Sequence, residues 1–184
     1  LNYEIATKED FITNKDRTLD EGKDNIYHSN VGFEEIPIIY DMIEIVDALY
    51  ANNFDYPSKF QAEALSMILT PPFKSFIGQS QFGTGKTLTL VLAMLARIDH
   101  NDSHLQCVCL VGTTVLANQI YTDYFAKFHE YYRVRIQCLF KNPPVKFNVN
   151  TEGSAQIVIS TPQYFDNYID EFDLSTVKVF AIDD

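Results

Sequence analysis

The chain has 184 residues, 46% of them hydrophobic, and a formal net charge of −11 at pH 7. This length suits one domain with a full hydrophobic core, and no run of about 18 apolar residues predicts a membrane span or a membrane partner. The acidic balance excludes a protein that coats nucleic acid through bulk positive charge, although backbone amides and hydroxyls can still make local contacts. Three cysteines without C-x-x-C spacing predict small buried hydrophobic residues and a reducing compartment, the cytoplasm or the nucleus.

Residues 1–30 are polar and acidic with scattered single hydrophobic residues, so we expect a flexible acidic tail before a domain at 31–184. The first 60 residues contain 13 Asp and Glu against 5 Lys and Arg, and therefore carry most of the excess negative charge. Because the chain starts at Leu1 and stops after Asp184, we expect a fragment that is truncated at its C-terminus.

Hydrophobic periodicity sets the predicted elements after the tail. Apolar residues at helical spacing from Ile39 to Tyr50 predict one helix, and Pro57 suits the first turn of a second, which Pro71-Pro72 ends. Further strands are predicted at 75–78, 105–111, 134–140, 155–160 and 177–183, and further helices at 87–98, 114–128 and 162–169. Apolar strands that alternate with helices are typical of a parallel sheet covered on both faces, so the fold class is α/β, three-layered, with a mostly parallel central sheet.

The segment SQFGTGKT follows a predicted strand and precedes a predicted helix, which is the context that a phosphate-binding loop requires. The first loop position is usually a smaller residue than Ser80, and we expect the bulky ring of Phe82 to point away from the phosphates. A glycine-rich turn with a surface lysine remains the alternative. The predicted nucleotide-binding residues of this loop are Ser80, Gln81, Phe82, Gly83, Thr84, Gly85, Lys86 and Thr87. The glycines allow the turn, the lysine reaches the β- and γ-phosphates, and the final hydroxyl ligates Mg²⁺.

A second signal precedes the loop by about 19 residues. Phe54, Pro57 and Gln61 place an aromatic ring, a helix-starting proline and an amide close together in the sequence. A glutamine amide carries both a donor and an acceptor, so Gln61 can pair with two adjacent groups on an adenine edge. The alternative is an ordinary helix N-terminus with a surface glutamine.

These segments together resemble the DEAD-box family of ATP-dependent RNA helicases over residues 33–184, in the first of that family's two RecA-like P-loop NTPase domains. Residues 54–61 resemble its adenine-reading Q motif, with Phe33 as the aromatic upstream of it, and residues 80–87 resemble its phosphate loop. Residues 112–119 and 161–163 resemble its RNA-binding motifs, and VKVFAIDD resembles the strand that leads into the D-E-A-D sequence. The residues before the loop and in the last strand are similar to the nuclear-pore-associated mRNA-export group.

The resemblance implies ATP or ADP with Mg²⁺ as ligands, and Mg²⁺ held by Thr87 and Asp183. It implies RNA, single-stranded or duplex, as a partner, together with a second RecA-like domain of the same protein and nuclear-pore or export factors. The implied catalytic residues are Lys86, Asp183 and Asp184, and the implied RNA-binding residues are Thr113, Thr114, Gln119, Thr161 and Pro162. The arginine finger of this family comes from the second domain, so we expect this chain alone to bind nucleotide but hardly to hydrolyse it.

Departures from the family pattern leave other functions open. Thr114 and Val115 replace an Arg and a Glu, and Asp184 is one methylene shorter than the Glu that positions the attacking water, which can cost about 10²-fold in rate. A helicase-like adaptor that binds nucleotide with little or no hydrolysis is therefore the main alternative, and a P-loop NTPase acting on DNA is a third. In the family a central strand follows the D-E-A-D sequence, so we expect the sheet to lack that strand here.

Two further clusters are assigned structural roles. His100 and His104 are four residues apart, but they flank a turn-like run and have no evident third metal ligand. The aromatic residues of FAKFHEYYRV (125–134) are expected to pack in the core rather than to stack on bases.

Overall fold

The computed structural model of the chain describes residues 29–139 and 154–183. The helices are α1 (Ile43–Ala51), α2 (Lys59–Leu69), α3 (Lys86–Leu95), α4 (Thr114–Ile120), α5 (Ala126–Phe128) and α6 (Pro162–Asp166). The strands are β1 (Cys107–Val111), β2 (Ile136–Leu139), β3 (Ile157–Ser160) and β4 (Val179–Asp183). A π-helical turn, Tyr121–Phe125, joins α4 to α5, and short 3₁₀ turns occupy Phe33–Glu35, Ile169–Glu171 and Leu174–Thr176. The predicted tail before residue 29 and the predicted catalytic Asp184 lie outside the described residues.

The four strands form one parallel sheet in the order β2-β3-β1-β4. The segment between β1 and β2 contains α4 and α5, and the segment between β3 and β4 contains α6, which are the crossover connections that parallel pairing requires. The carboxyl ends of β1, β3 and β4 therefore lie along the same edge of the sheet, where the phosphate loop and the N-termini of α4 and α6 also come. The predicted α/β class and parallel sheet are confirmed.

Side chains of the central strands alternate between two hydrophobic clusters, one on each face of the sheet. On one face, Cys107, Cys109 and Val111 pack with α1, α2, α3 and the helical segment 114–128. On the other face, Val108 and Leu110 pack with α6. Burial raises the pKa of the Cys107 and Cys109 thiols to about 12, so both behave as the small hydrophobic residues predicted.

The strand predicted at 75–78 is absent, which corrects the sequence-based prediction. These residues form no regular secondary structure and pair with no strand among the described residues, and Ile77 is 55% exposed. An apolar run becomes a strand only when a neighbouring strand satisfies its backbone groups, and periodicity alone does not supply that partner. The segment instead connects α2 to the phosphate loop.

The predicted helices are confirmed with shifted ends, and the aromatic residues after α4 are mainly core. Phe125 and Phe128 are each 1% exposed and Tyr132 is 8% exposed, as expected, whereas Tyr131 is exposed. The π-helical turn within the predicted helix 114–128 was not predicted. None of the helices in the described ranges has the length and apolar character that a membrane span needs.

Candidate nucleotide-binding site

The phosphate loop turns at two glycines that adopt left-handed backbone conformations. Gly83 and Gly85 each have φ of +84°, and α3 begins directly after the second of them. A Cβ atom built on Gly83 meets nothing within 4 Å, but one built on Gly85 lies 2.3 Å from Nε2 of Gln61. Gly83 is therefore required for its backbone conformation alone, whereas Gly85 is required for both conformation and space.

Side chains of the loop bind its own carbonyl oxygens. Lys86 Nζ donates hydrogen bonds to the carbonyl oxygens of Ser80 and Gln81, both at 3.1 Å. Thr84 Oγ1 donates to the Gln81 carbonyl at 2.9 Å and is also hydrogen-bonded to the Ser80 hydroxyl. Ser80 thus fits the first loop position. The Lys86 ammonium group forms no ion pair within the described residues. It can therefore exchange its hydrogen bonds to these neutral carbonyl oxygens for stronger ones to a bound phosphate.

A hydroxyl and a carboxylate meet where α3 begins and β4 ends. Thr87 Oγ1 donates a hydrogen bond of 2.6 Å to Asp183 Oδ2. Mg²⁺ prefers oxygen ligands of this kind, usually with one or two protein carboxylates and the phosphates of a nucleotide. The donor set of Thr87 and Asp183 therefore fits the predicted magnesium ion.

An Asp183→Asn variant tests the assignment of Asp183 as a magnesium ligand. The neutral amide oxygen is a weaker ligand for a hard cation than a carboxylate, so Mg²⁺ is expected to strengthen ADP binding much less than in the unsubstituted chain. The measurement is a calorimetric ADP titration with Mg²⁺ and then with EDTA. Asp173→Asn, outside the cleft, is the matched control; an unchanged Mg²⁺ effect in the Asp183 variant would argue against the assignment.

Gln61 connects the start of α2 to the phosphate loop. Its Oε1 accepts from the Ser58 backbone amide at 2.8 Å, and its Nε2 donates to the Gly85 carbonyl at 3.2 Å. The Ser58 hydroxyl accepts a hydrogen bond from the backbone N–H of Gln61 at 3.1 Å and donates one to the Thr84 carbonyl oxygen at 2.6 Å. Gln61 is only 5% exposed, so it is not the surface glutamine of the alternative interpretation. One N–H and one lone pair of its amide remain for a ligand, and reading of adenine stays a prediction.

Aromatic side chains line the cleft beside the loop. The Phe54 ring stacks with Tyr124 at a centroid distance of 6.5 Å and meets Phe128 edge-on at 6.5 Å. The cleft has a volume of about 880 Å³, which suits a nucleotide-sized ligand. Its lining residues are Phe54, Tyr56, Ser58, Gln61, residues 82–88, Leu116, Gln119, Ile120, Tyr124 and Asp183. Residues 82–87 of the predicted loop are thus brought together with Phe54, Gln61 and Asp183, whereas the predicted Ser80 and Gln81 do not line the cleft.

The structure adds residues that the sequence did not single out and separates others. Ser58 was part of a recognised pattern but was not predicted as a site residue, and Tyr124 had no sequence signal. Phe33 is fully buried in the core and does not line the cleft. The Phe82 ring is completely exposed and belongs to the lining of the cleft, and its orientation away from the phosphates stays a prediction.

The predicted RNA-binding residues fall into two groups. Thr113 caps α4, accepting from the Leu116 amide at 3.2 Å, and Thr161 precedes Pro162 at the start of α6. These positions follow the carboxyl ends of β1 and β3, which are neighbouring strands, so they lie along one edge of the sheet. Thr161 is 4% exposed, which leaves its side chain little surface for a ligand. Gln119 lies in the nucleotide cleft instead.

The two histidines make ordinary contacts. The His100 ring packs edge-on against Tyr132, and His104 Nδ1 is 2.6 Å from Asp102 Oδ1. Hydrogen bonds from His104 lower the pKa of the Asp102 carboxyl. Among residues 29–139 and 154–183, no group of three or more potential metal-ligating side chains comes together.

Comparisons with known proteins agree with the nucleotide-binding site that the geometry of the cleft indicates. The sequence model of the DEAD/DEAH box helicase family matches residues 58–184. A relative named ATP-dependent RNA helicase DBP5 from Meyerozyma guilliermondii is 37% identical over 159 residues, covering 85% of this chain and 32% of its own length. The mouse protein named ATP-dependent RNA helicase DDX19A is 35% identical over 177 residues, covering 94% of this chain and 36% of its own length. The chain thus spans about a third of these relatives.

Solved structures share the fold. Dbp5 from S. cerevisiae, bound to RNA and ADP BeF3, superposes with a TM-score of 0.73 at 28% identity. That match covers 82% of this chain and 37% of the other. A Dbp5 variant from S. cerevisiae bound to Nup159, Gle1, IP6 and ADP has a TM-score of 0.69 at 30% identity, covering 77% and 37%. The predicted three-layer, RecA-like fold is confirmed.

Proposed function

Because this chain belongs to the DEAD/DEAH box helicase family, we propose that it is the ATP-binding domain of an RNA helicase that couples ATP binding and hydrolysis to RNA strand separation or mRNP remodelling. The single observation that carries this proposal is the convergence of Gln61, the phosphate loop and the Thr87–Asp183 pair on one cleft. A protein that needed only a glycine turn at this place would not also require the oxygen donors and the aromatic side chains that line the cleft.

Each part of the cleft has a separate task in binding ATP. Phe54 and Gln61 receive the base, while the loop amides and the N-terminus of α3 face the phosphates. The Lys86 ammonium group leaves the carbonyl oxygens of Ser80 and Gln81 and binds the β- and γ-phosphates. Thr87 and Asp183 hold Mg²⁺, which offsets phosphate charge when bound.

Hydrolysis requires two further contributions. Asp184 orients the attacking water in this proposal, and the arginine finger comes from a second RecA-like domain of the same protein. An arginine finger is worth roughly 10³–10⁵ in rate, so this chain alone binds nucleotide with almost no turnover.

RNA binds at the carboxyl edge of the sheet, where Thr113, Thr114 and Pro162 start α4 and α6. These N-termini offer backbone amides and hydroxyls to phosphate groups, which suits an acidic protein. The S. cerevisiae Dbp5 structures, bound to RNA in one case and to Nup159 and Gle1 in another, support a role in mRNA export with nuclear-pore or export factors as partners, in the cytoplasm or nucleus.

An adaptor that binds nucleotide without hydrolysing it is the second candidate. The exposed Phe82 ring beside the loop and Asp184 in place of Glu favour it. RNA-stimulated ATPase activity in a protein that also contains the second domain separates the two candidates, because the adaptor shows none.

The test of nucleotide binding is calorimetric titration of this chain with ADP–Mg²⁺ and, in parallel, GDP–Mg²⁺. We expect ADP to bind and GDP to bind at least about tenfold more weakly, since guanine presents a different hydrogen-bonding edge to Gln61. Lys86→Ala, which removes the ammonium group, is expected to weaken ADP binding by at least about tenfold. Lys127→Ala, outside the cleft, is the matched control. Failure of the folded chain to bind either nucleotide would refute the proposed ATP site.

A further inference from the structure

The helical segment 114–128 widens into a π-helical turn where it borders the nucleotide cleft. Tyr121–Phe125 forms this turn between α4 and α5. Such turns are rare, and they occur frequently at functional sites because the extra residue redirects the side chains that follow. Here Phe125 and Phe128 enter the core while Ile120 and Tyr124 line the cleft. The irregular turn therefore supplies the cleft with an aromatic ring without removing the core residues of the same helix.

The Tyr124 ring is placed by packing. It stacks with Phe54 at a centroid distance of 6.5 Å and an interplanar angle of 23°. Phe128 closes on another side of Phe54 at 6.5 Å and 68°. The three rings form an aromatic wall, defined here as Phe54, Tyr124 and Phe128, of which the first two line the cleft.

The environment of Tyr124 fits a ligand-facing residue. Burial raises the pKa of its hydroxyl, so the side chain stays neutral at physiological pH. The side chain is only half-buried, and its hydroxyl makes no hydrogen bond within the described part of the chain. No polar contact thus holds the ring away from the cleft, and its position depends on stacking with Phe54.

We infer that Tyr124 is a further nucleotide-binding residue, whose ring forms with Phe54 the cleft-lining part of the aromatic wall, and that this part takes the adenosine end of the ligand. This inference rests on the proposed function, because it assigns a residue to the same ATP site. The phosphate loop and Lys86 hold the other end of the nucleotide. A loss of the Tyr124 ring therefore weakens binding of ADP but leaves binding of a phosphate chain alone unchanged.

Titrations with ADP–Mg²⁺ and with inorganic tripolyphosphate test this inference in three variants. Tyr124→Leu is expected to bind ADP about tenfold more weakly, from the lost ring stacking and apolar contact, with unchanged affinity for tripolyphosphate. Tyr124→Phe keeps the ring and stays within about twofold of the unsubstituted chain. Tyr121→Leu makes the same change in the same turn outside the cleft lining, and is expected to have no effect.

The possible results separate the inference from the proposed function. If the unsubstituted chain binds ADP and Tyr124→Leu binds it equally well, the inference is wrong and the proposed function stands. Equal losses for ADP and tripolyphosphate also overturn the inference, since the change then acts on the whole cleft. If the unsubstituted chain binds no ADP, the proposed function itself fails.

A second measurement does not depend on the leucine variant folding. The chain contains no tryptophan, so Tyr124→Trp introduces a single fluorescent reporter that preserves an aromatic ring. ADP–Mg²⁺ is expected to change its emission with saturation at the concentration found by calorimetry, and Tyr121→Trp is expected to show no change. Emission that stays constant in the Tyr124 variant while calorimetry detects ADP binding would refute the inference.

Discussion

A chain carrying Gly85→Ala is expected to bind ADP at least about 100-fold more weakly than the unsubstituted chain. The left-handed φ of +84° costs any residue with a Cβ about 1–2 kcal/mol. The new Cβ would also lie 2.3 Å from Gln61 Nε2, so the glutamine must move and lose its hydrogen bond to the Gly85 carbonyl. Both the loop conformation and the proposed base-reading group are then disturbed together.

Gly83→Ala is the matched control for this variant. Its backbone has the same φ of +84°, but a Cβ there meets no atom within 4 Å, so the change carries only the conformational cost. We expect about a tenfold loss of ADP affinity, measured by the same calorimetric titration, with thermal unfolding showing that both variants are folded. Equal losses in the two variants would show that the contact with Gln61 does not matter.

Replacement of Gln106 by Leu is expected to lower the free energy of unfolding by about 2–3 kcal/mol. Gln106 is fully buried at the amino-terminal end of β1. Its Nε2 donates to the carbonyl oxygens of Asp99 and Asp102, and its Oε1 accepts from the Asp99 amide and from Lys178 Nζ. Leucine would leave the Asp99 backbone amide and Lys178 Nζ without this acceptor, whereas the carbonyl oxygens of Asp99 and Asp102 keep their hydrogen bonds from Gln156 Nε2.

Urea unfolding followed by circular dichroism measures this loss of stability. Gln137→Leu is the control, because Gln137 is a half-buried residue on β2 that forms no side-chain hydrogen bond within the described ranges, and its replacement is expected to change stability by less than about 1 kcal/mol. ADP affinity of the folded Gln106 variant should be unchanged, because the network lies at the opposite end of β1 from the cleft. A loss no larger than that of the control would contradict the assigned role of the network.

The sequence predicted the phosphate loop well because its chemistry is local. Gly85, Lys86 and Thr87 are adjacent in the chain, and the preceding and following segments determine where they are placed. The partner of Thr87 was also predicted, since a resemblance in the last strand identified Asp183. The three loop residues depend on short-range geometry that a few neighbouring residues specify.

Other parts of the site depend on long-range packing, which no local pattern contains. The position of Tyr124 requires a π-helical turn, and the helical periodicity of residues 114–128 gave no indication of one. The apolar run at 75–78 resembled a strand, but strand formation depends on a neighbour elsewhere in the chain. The hydrogen bonds of the buried Gln106 amide could not be predicted from a local pattern either, because its partners include Lys178, 72 residues away.

The hydrogen bond between Thr87 and Asp183 has a consequence for folding. It joins residues 96 positions apart, so closing this contact carries the entropy cost of a long loop. β4 reaches its place only by pairing with β1, which itself follows α3 in the chain. Contacts with so large a sequence separation form late relative to local helices, and they slow folding. Binding of a magnesium nucleotide should therefore appear at the end of refolding and report when the sheet is complete.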